Sequence, residues 1–359
     1  MFSKLRKTFL FSLLVIALIT TGCSANVTAT EVSSTEAPAT GGEVKLTLAA
    51  YTTPREAYGE VIPAFQAYWK EKTGQTVTFE ESYLGSGAQS RAVVDGFEAD
   101  VVALSLEADI TRIEKAGLIT HDWKSTASKG MVSNSVVAFA VRKGNPLGIK
   151  DWADLAKPDL EILTPNPRTS GGAQWNILAL YGSLLQGKVA GVPADDPEAA
   201  HAFVVNLLKN VTVMDKGARE SITNFEQGVG DVAITYENEV LVGQQAGQDY
   251  ELVIPSSTIL IQNPVAVVDT YADKHGTREV AEAFVNFLLT PEAQEIFAHH
   301  GLRSIDDGVA EETADQYPAV PGLFTIDYFG GWSKATPDYF GEEGIFIQAM
   351  LEAQVPTTE

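Results

Sequence analysis

A single cysteine and five histidines among 359 residues leave few side chains able to hold a transition metal or close a disulfide. Neither His-Glu-x-x-His nor Cys-x-x-Cys occurs, so no metal site is expected. No cofactor is expected either. The Gly-x-x-x-x-Gly-Lys-Ser/Thr loop is absent, and "GSGAQS" lacks the third glycine of a dinucleotide fingerprint. Basic charge is scarce: 25 Lys and Arg against 47 Asp and Glu give a formal charge of −22. That excludes the basic stripe a nucleic-acid partner needs and charge-driven docking on anionic lipid. A hydrolase is also disfavoured. Neither Ser86 nor Ser170 sits in Gly-x-Ser-x-Gly, and no histidine lies near either.

The mostly apolar run from Thr8 to Thr20 follows Lys4, Arg6 and Lys7 and falls short of the about 20 residues a membrane helix needs. It reads as an export signal over residues 1–22. The Gly22-Cys23 junction resembles a bacterial lipoprotein signal, with Cys23 as the lipidated residue and Thr20 where that pattern usually has leucine. Ordinary cleavage after Ala25 is the alternative. Either reading places the mature protein outside the cytoplasm. Residues 23–42 are rich in Ser, Thr, Ala and Gly and are expected to be a flexible tether.

From Glu43 onward the chain alternates strand and helix patterns. "VKLTLAAY", "TVTFEESY" and "ADVVALSL" read as strands; "REAYGEVIPAFQAYWKEKTG" and "SGAQSRAVVDGF" read as helices. The same alternation resumes after "SNSVVAFAVRKGNP". "NPVAVVDTY" reads as a returning strand, and "REVAEAFVNFLLTPEAQEIFAHHG" as one long helix. Repeated βα units predict an α/β fold with two mostly parallel sheets, helices on both faces, and two crossings forming a hinge. The expected lobes are residues 43–136 with 268–359, and residues 137–267.

In open α/β sheets ligands sit where strands end and helices begin. Four such places stand out: Thr52, Thr53 and Pro54, with the threonines as capping candidates; Ser86 between two glycines; Ser170, Gly171 and Gly172; and Gly217 with Ala218. Helix starts carry unpaired N–H groups and about half a positive charge each, so together they suit an anion. Taken singly, each is an ordinary cap, and Trp175 and Tyr236 are ordinary core residues. Their recurrence at equivalent points of successive units argues for a site.

The stretches "YTTPREAY", "GSGAQSRAVVDGFEADVVALSLEADI", "VRKGNP", "DWADLAKP", "TPNPRTSGGAQWN", "KGARESITNF", "GDVAITYENE" and "LFTIDYFGGW" together resemble the sulfate- and thiosulfate-binding proteins that feed bacterial ABC importers. The resemblance spans about Lys45 to Trp332 and implies a two-lobe, type II periplasmic-binding-protein-like fold that closes on its ligand. It implies backbone N–H contacts from Thr52, Gly171, Gly172 and Ala218, and side-chain or N–H contacts from Ser86 and Ser170. Tyr236 stands where the family commonly offers an indole N–H, which alters the seventh contact. Thr52-Thr53-Pro54 stand where Asp-Pro-Thr is common, a change that a backbone donor survives. Arg55, Arg168 and Arg219, each beside one of these loops, are expected behind the contacts rather than in them.

None of the seven positions is Asp or Glu, so an all-donor site favours sulfate over hydrogen phosphate, whose O–H wants an acceptor. That difference is worth about 1–3 kcal/mol or more. Thiosulfate, molybdate and tungstate remain open. Loss of Lys4, Arg6 and Lys7 takes the net charge from −22 to −25. Exposed charges are nevertheless screened over about 8–10 Å, whereas aligned dipoles in a dry cleft are not. The expected partners are the anion, an ABC transporter permease and, through Cys23, a membrane. The protein is expected to be a monomer and not an enzyme.

Overall fold

The computed structural model describes residues 42–355, which lie within one compact unit, Thr40–Glu359. The signal segment, Cys23 and all but Gly42 of the tether fall outside the described residues. No helix among the described residues is long and apolar enough to cross a membrane.

The first half is built from β1 (Glu43–Tyr51), α1 (Arg55–Thr73), β2 (Thr76–Leu84), α2 (Ser86–Val94), β3 (Val101–Ala103) and α3 (Glu107–Lys115). β1 pairs in parallel with β2 and with β3. Helix α1 shows why the pattern was legible: Tyr58, Val61, Ile62, Phe65 and Trp69 recur at helical spacing and are buried. It stops at Gly74, whose φ of 75° is left-handed and whose N–H donates to the Lys70 carbonyl. β3 is shorter than "ADVVALSL" suggested. The chain leaves the ladder after Leu104 and carries Ser105 toward the second half.

β4 (Met131–Val141) leads into β5 (Ile162–Pro165), α4 (Gly171–Leu185), α5 (Pro197–Leu208), β6 (Val211–Asp215), α6 (Ala218–Glu226), β7 (Val232–Tyr236), α7 (Glu237–Gln245) and β8 (Glu251–Val253). β9 (Ser257–Val267) returns to α8 (Asp269–His275), α9 (Arg278–Phe287), α10 (Pro291–His299) and α11 (Asp307–Glu312). β10 (Gly322–Phe324), α12 (Trp332–Phe340) and α13 (Ile345–Ala353) follow.

Two separate sheets were expected; the strands form one hydrogen-bonded path, β2-β1-β3-β9-β4-β7-β5-β6. β4 and β9 are the cause, because each spans 11 residues and changes partner midway. Met131–Val136 of β4 lie against β9, whereas Val137–Val141 lie against β7. β9 in turn spends Val265–Val267 on β3. Parallel blocks flank this antiparallel seam, and β3 and β7 are buried on both faces, as helix-covered parallel strands should be.

Two further expectations need correction. The predicted long helix breaks between α9 and α10, where Pro291 occupies the first turn and the Thr290 hydroxyl accepts the Ala293 N–H at 3.4 Å. Thr-Pro is a helix start, not a helix interior. The C-terminal stretch does not stay with the first half. β10 pairs with β9 at Ser257–Ile259, and Trp332 packs edge-on to Trp175 of α4 at 4.6 Å between ring centroids. Tyr181 of α4 meets Tyr339 at 5.2 Å. Residues 322–355 therefore belong to the core of the second half. The chain makes a third crossing to reach it, so the connection is not limited to two segments.

Candidate functional site

The four helix starts converge at the line where the halves meet. Gly85 precedes α2, and a Cβ there would lie 2.7 Å from the Thr169 carbonyl and 3.1 Å from that of Lys216, both in the second half. A Cβ on Gly171 would lie 2.7 Å from Ser105 Oγ in the first half. Glycine at both positions lets the loops close on each other. A Cβ on Gly172 would stand 3.4 Å from Ala218 Cβ, Ser170 Oγ and Tyr236 Cε1, and one on Gly217 would stand 3.8 Å from Thr52 Oγ1. Thr52, Ser86, Ser170, Gly171, Gly172, Ala218 and Tyr236 are thus gathered around one locus.

Hydrogen bonding decides which atom of each residue is available there. Ser86 Oγ donates to Asp109 Oδ2 at 2.6 Å and accepts the Ser105 N–H at 3.0 Å. Its proton is committed, and only its backbone N–H, at the first position of α2, faces no helical acceptor. Ser170 is the reverse. Its N–H donates to the Asn166 carbonyl at 2.9 Å, while its Oγ caps α4 by accepting the Ala173 N–H at 3.3 Å. The Ser170 hydroxyl proton stays free. Gly171 and Gly172 open α4, and Ala218 opens α6, so their N–H groups precede the first intrahelical bond. Neither Thr52 nor Thr53 caps α1 through its side chain, as the sequence had suggested; the cap residue is Pro54. The Thr52 carbonyl accepts the Arg55 N–H at 3.3 Å.

The arginines separate. Arg55 lies over the Tyr83 ring at 4.6 Å, and Arg168 is exposed and lines a cavity with Ile347 and Met350 of α13. Arg219 alone spans the cleft. Its Nη1 and Nη2 donate to Glu56 Oε1 and Oε2 at 2.6 and 2.8 Å, and Nη2 also donates to the Thr53 carbonyl at 3.2 Å. Its Nε stands 2.8 Å from Glu239 Oε2, an ion pair without the alignment of a hydrogen bond. Burial works against charge on Arg219, but Glu239 and Glu56 hold its guanidinium above the ordinary range. Burial raises Glu239 more than Arg219 lowers it; for Glu56, partly exposed at the rim, burial is the largest single effect, but the hydrogen bond and charge of Arg219, with smaller help from a backbone hydrogen bond and Arg55, together outweigh it and the carboxyl is lowered. A second clamp ties the hinge: Arg303 donates to both oxygens of buried Glu237 at 2.7 and 2.9 Å.

Sequence reasoning missed Ser105. It is fully buried, and its carbonyl accepts from Trp175 Nε1 at 3.0 Å and from Asn263 Nδ2 at 3.3 Å. Its hydroxyl meets the Tyr236 hydroxyl at 2.6 Å. Burial pushes the Tyr236 phenol well up, so it is neutral. Nothing local marks Ser105, since "ALSL" reads as buried strand. Asp109 was missed for the same reason: it looks like an ordinary acidic residue in the first turn of α3, yet it is buried beneath Ser86 and paired with Arg112 at 2.6 Å.

Comparison with known proteins gives a consistent set. Residues 46–303 match the family model described as bacterial extracellular solute-binding protein. A sulfate-binding protein of Synechococcus elongatus is 50% identical over 85% of this chain and 86% of its own length. A thiosulfate-binding protein of Pseudomonas aeruginosa is 36% identical over 83% of this chain and 90% of its own. The solved structure of the sulfate-binding protein SubI from Mycobacterium tuberculosis superposes with a TM-score of 0.76 at 40% identity, covering 83% of this chain and 99% of that one.

Proposed function

Because the chain belongs to the bacterial extracellular solute-binding proteins, we propose that it captures sulfate between its halves and presents it to the membrane permease of an ABC importer. The observation that carries this reading is the meeting of α1, α2, α4 and α6 starts at one buried locus with no carboxylate among its seven positions. The N–H groups of Thr52, Ser86, Gly171, Gly172 and Ala218, with the Ser170 hydroxyl and the Tyr236 pair, supply donors from both halves. A dianion meets them all only when the halves are together, so binding shifts the population toward the closed form by its differential affinity. That closed shape is what the permease recognises. Arg219, gripping Glu56 across the cleft, holds the closed form from the rim.

The same donors suit thiosulfate, and the thiosulfate-binding relative favours that second ligand. Export and lipid attachment at Cys23 complete the proposal and rest on the sequence pattern of residues 1–25. The deciding experiment is calorimetric titration of the purified, desalted protein with sulfate and then thiosulfate in chloride buffer. One-to-one saturable binding is expected. Folded, ligand-free protein that gives no heat with either anion would refute the reading.

A further inference from the structure

Of the described arginines, Arg112, Arg219, Arg278 and Arg303 pair with carboxylates, and Arg142 donates to backbone carbonyls. Arg55, Arg91 and Arg168 are exposed and form no ion pair among the described residues. With 47 Asp and Glu against 25 Lys and Arg, acidic partners are in excess, yet these three stay without one. They are not scattered. Arg55 lies over the Tyr83 ring at 4.6 Å, and Tyr83 leads directly into Leu84 and Gly85. A Cβ on Gly85 would lie 2.7 Å from the carbonyl of Thr169, next to Arg168, and 3.1 Å from that of Lys216, a fourth exposed cation without an ion pair. A Cβ on Gly87 would stand 3.4 Å from both Arg91 Nη1 and the Thr169 carbonyl. Four unpaired cations therefore rim the line where the halves meet, Arg55 and Arg91 from the first half, Arg168 and Lys216 from the second. Of the nearby acids, Glu56 is held by Arg219, Glu81 accepts the Tyr83 hydroxyl at 2.7 Å, and Glu220 stands beside Gly217. Apolar surface lies on the same rim: Leu84 is 44% exposed, and Leu351, 66% exposed, lines a cavity with Arg168. Apolar anchors within a charged rim are the make-up of a protein interface.

We infer that Arg55, Arg91, Arg168 and Lys216 form a docking surface for an acidic extracytoplasmic segment of the membrane permease, and that this surface is complete only when the halves are together. The inference rests on the importer reading. Separating the halves would split the four cations into two pairs. A partner whose carboxylates meet both pairs at once therefore favours the form in which the loops around Gly85 and Thr169 touch. Charge also limits what the partner can be. An extended polyanion, such as an anionic bilayer, would face the rest of a chain of formal charge −22 as well as the rim, and like charge would oppose it. A compact acidic segment meets the rim alone. Exposed charges of this kind act on encounter and register more than on stability, so reversing them should leave the fold and the buried anion contacts in place.

The test sets sulfate uptake beside sulfate affinity. Cells whose own copy of the gene is replaced by the wild type, by the Arg91→Glu/Arg168→Glu double variant or by Lys188→Glu are given radiolabelled sulfate at matched protein levels. The purified proteins are titrated with sulfate by calorimetry, with melting curves to verify folding. Lys188 is an exposed lysine beyond the far end of α4 and controls for charge reversal as such. The double variant is expected to lower uptake at least about tenfold while its sulfate affinity stays within about threefold of the wild type, and Lys188→Glu to transport normally. Should the double variant fail to fold, the two single reversals carry the same comparison, each lowering uptake about threefold or more. Unchanged uptake overturns the proposal, as does an equal loss in Lys188→Glu. A parallel fall of uptake and affinity also overturns it, because the rim would then serve the ligand. Sedimentation with phosphatidylglycerol vesicles tests the other occupant: binding by the sulfate-loaded wild type that the double variant loses would assign the rim to lipid instead. A folded wild type that binds no sulfate refutes the importer reading rather than this one.

Discussion

Gly172 sits where three contacts of the locus meet, and a Cβ there would find Ala218, Ser170 and Tyr236 at 3.4 Å. That spacing is tight but tolerable, so the position can accept a side chain without losing the fold. Gly172→Asp would place a carboxylate among donors meant for a dianion, adding like-charge repulsion in a site that excludes water. Sulfate affinity should fall by at least about a hundredfold, while the melting temperature shifts by only a few degrees. Titration beside a thermal melt checks both. Unchanged affinity would remove the 170–172 segment from the site. Gly171 is a different case, because its Cβ would press on Ser105 Oγ in the opposite half and hinder closure.

Among the elements, α1 and α6 are joined by the Arg219–Glu56 fork. Glu56→Gln removes the charge on the first half and leaves the Arg219–Glu239 pair intact within the second. Both side chains are partly exposed, so solvent screening limits the effect. Sulfate dissociation should speed up about 3- to 10-fold with association nearly unchanged, as truncating one partner of a charge pair does. Stopped-flow release of sulfate measures it; an unchanged off-rate would make the fork incidental.

α8 carries a second prediction. His275 Nδ1 lies 2.8 Å from Asp100 Oδ1 and its Nε2 3.0 Å from Glu98 Oε2, and the Asp100 hydrogen bond leads in raising the imidazole above about 6.5. A raised folded value favours the protonated native state. The stabilisation is complete below about pH 6.5 and is lost as pH rises through the raised value. The melting-temperature difference between wild type and His275→Gln should therefore be largest near pH 6 and shrink toward pH 9. A difference independent of pH would show that the imidazole acts only by packing.

For the whole molecule, the formal charge of −22 opposes the approach of a dianion to the proposed site. The repulsion is long-ranged and screened by salt, whereas the final contacts are short and dry. Added sodium chloride should therefore raise the association rate of sulfate severalfold, roughly as the Debye length shrinks from about 30 to about 8 Å, with little change in the dissociation rate. A rate that falls with salt would mean that local cations such as Lys216 at the rim steer the ligand. Closure should also appear in X-ray scattering as a smaller radius of gyration at saturating sulfate, and no change would argue that the halves are already together without ligand.

Much of this was legible in the sequence because its causes are local. Apolar spacing made α1 a helix, glycine ended it, and small residues at helix starts left N–H groups bare whatever the rest of the chain did. What only the tertiary structure decided involves partners far apart in the chain. Ser86 commits its hydroxyl to a hydrogen bond with a residue 23 positions away, Ser105 found Tyr236 across 131, and Trp175 reached the Ser105 carbonyl across 70. The C-terminal helices joined the second half for the same kind of reason: Trp332 and Tyr339 pack on α4 residues, and no local pattern names the surface they cover. Element type and donor chemistry follow from neighbours along the chain. Which proton is free, and which half a segment joins, depends on what the fold brings beside it.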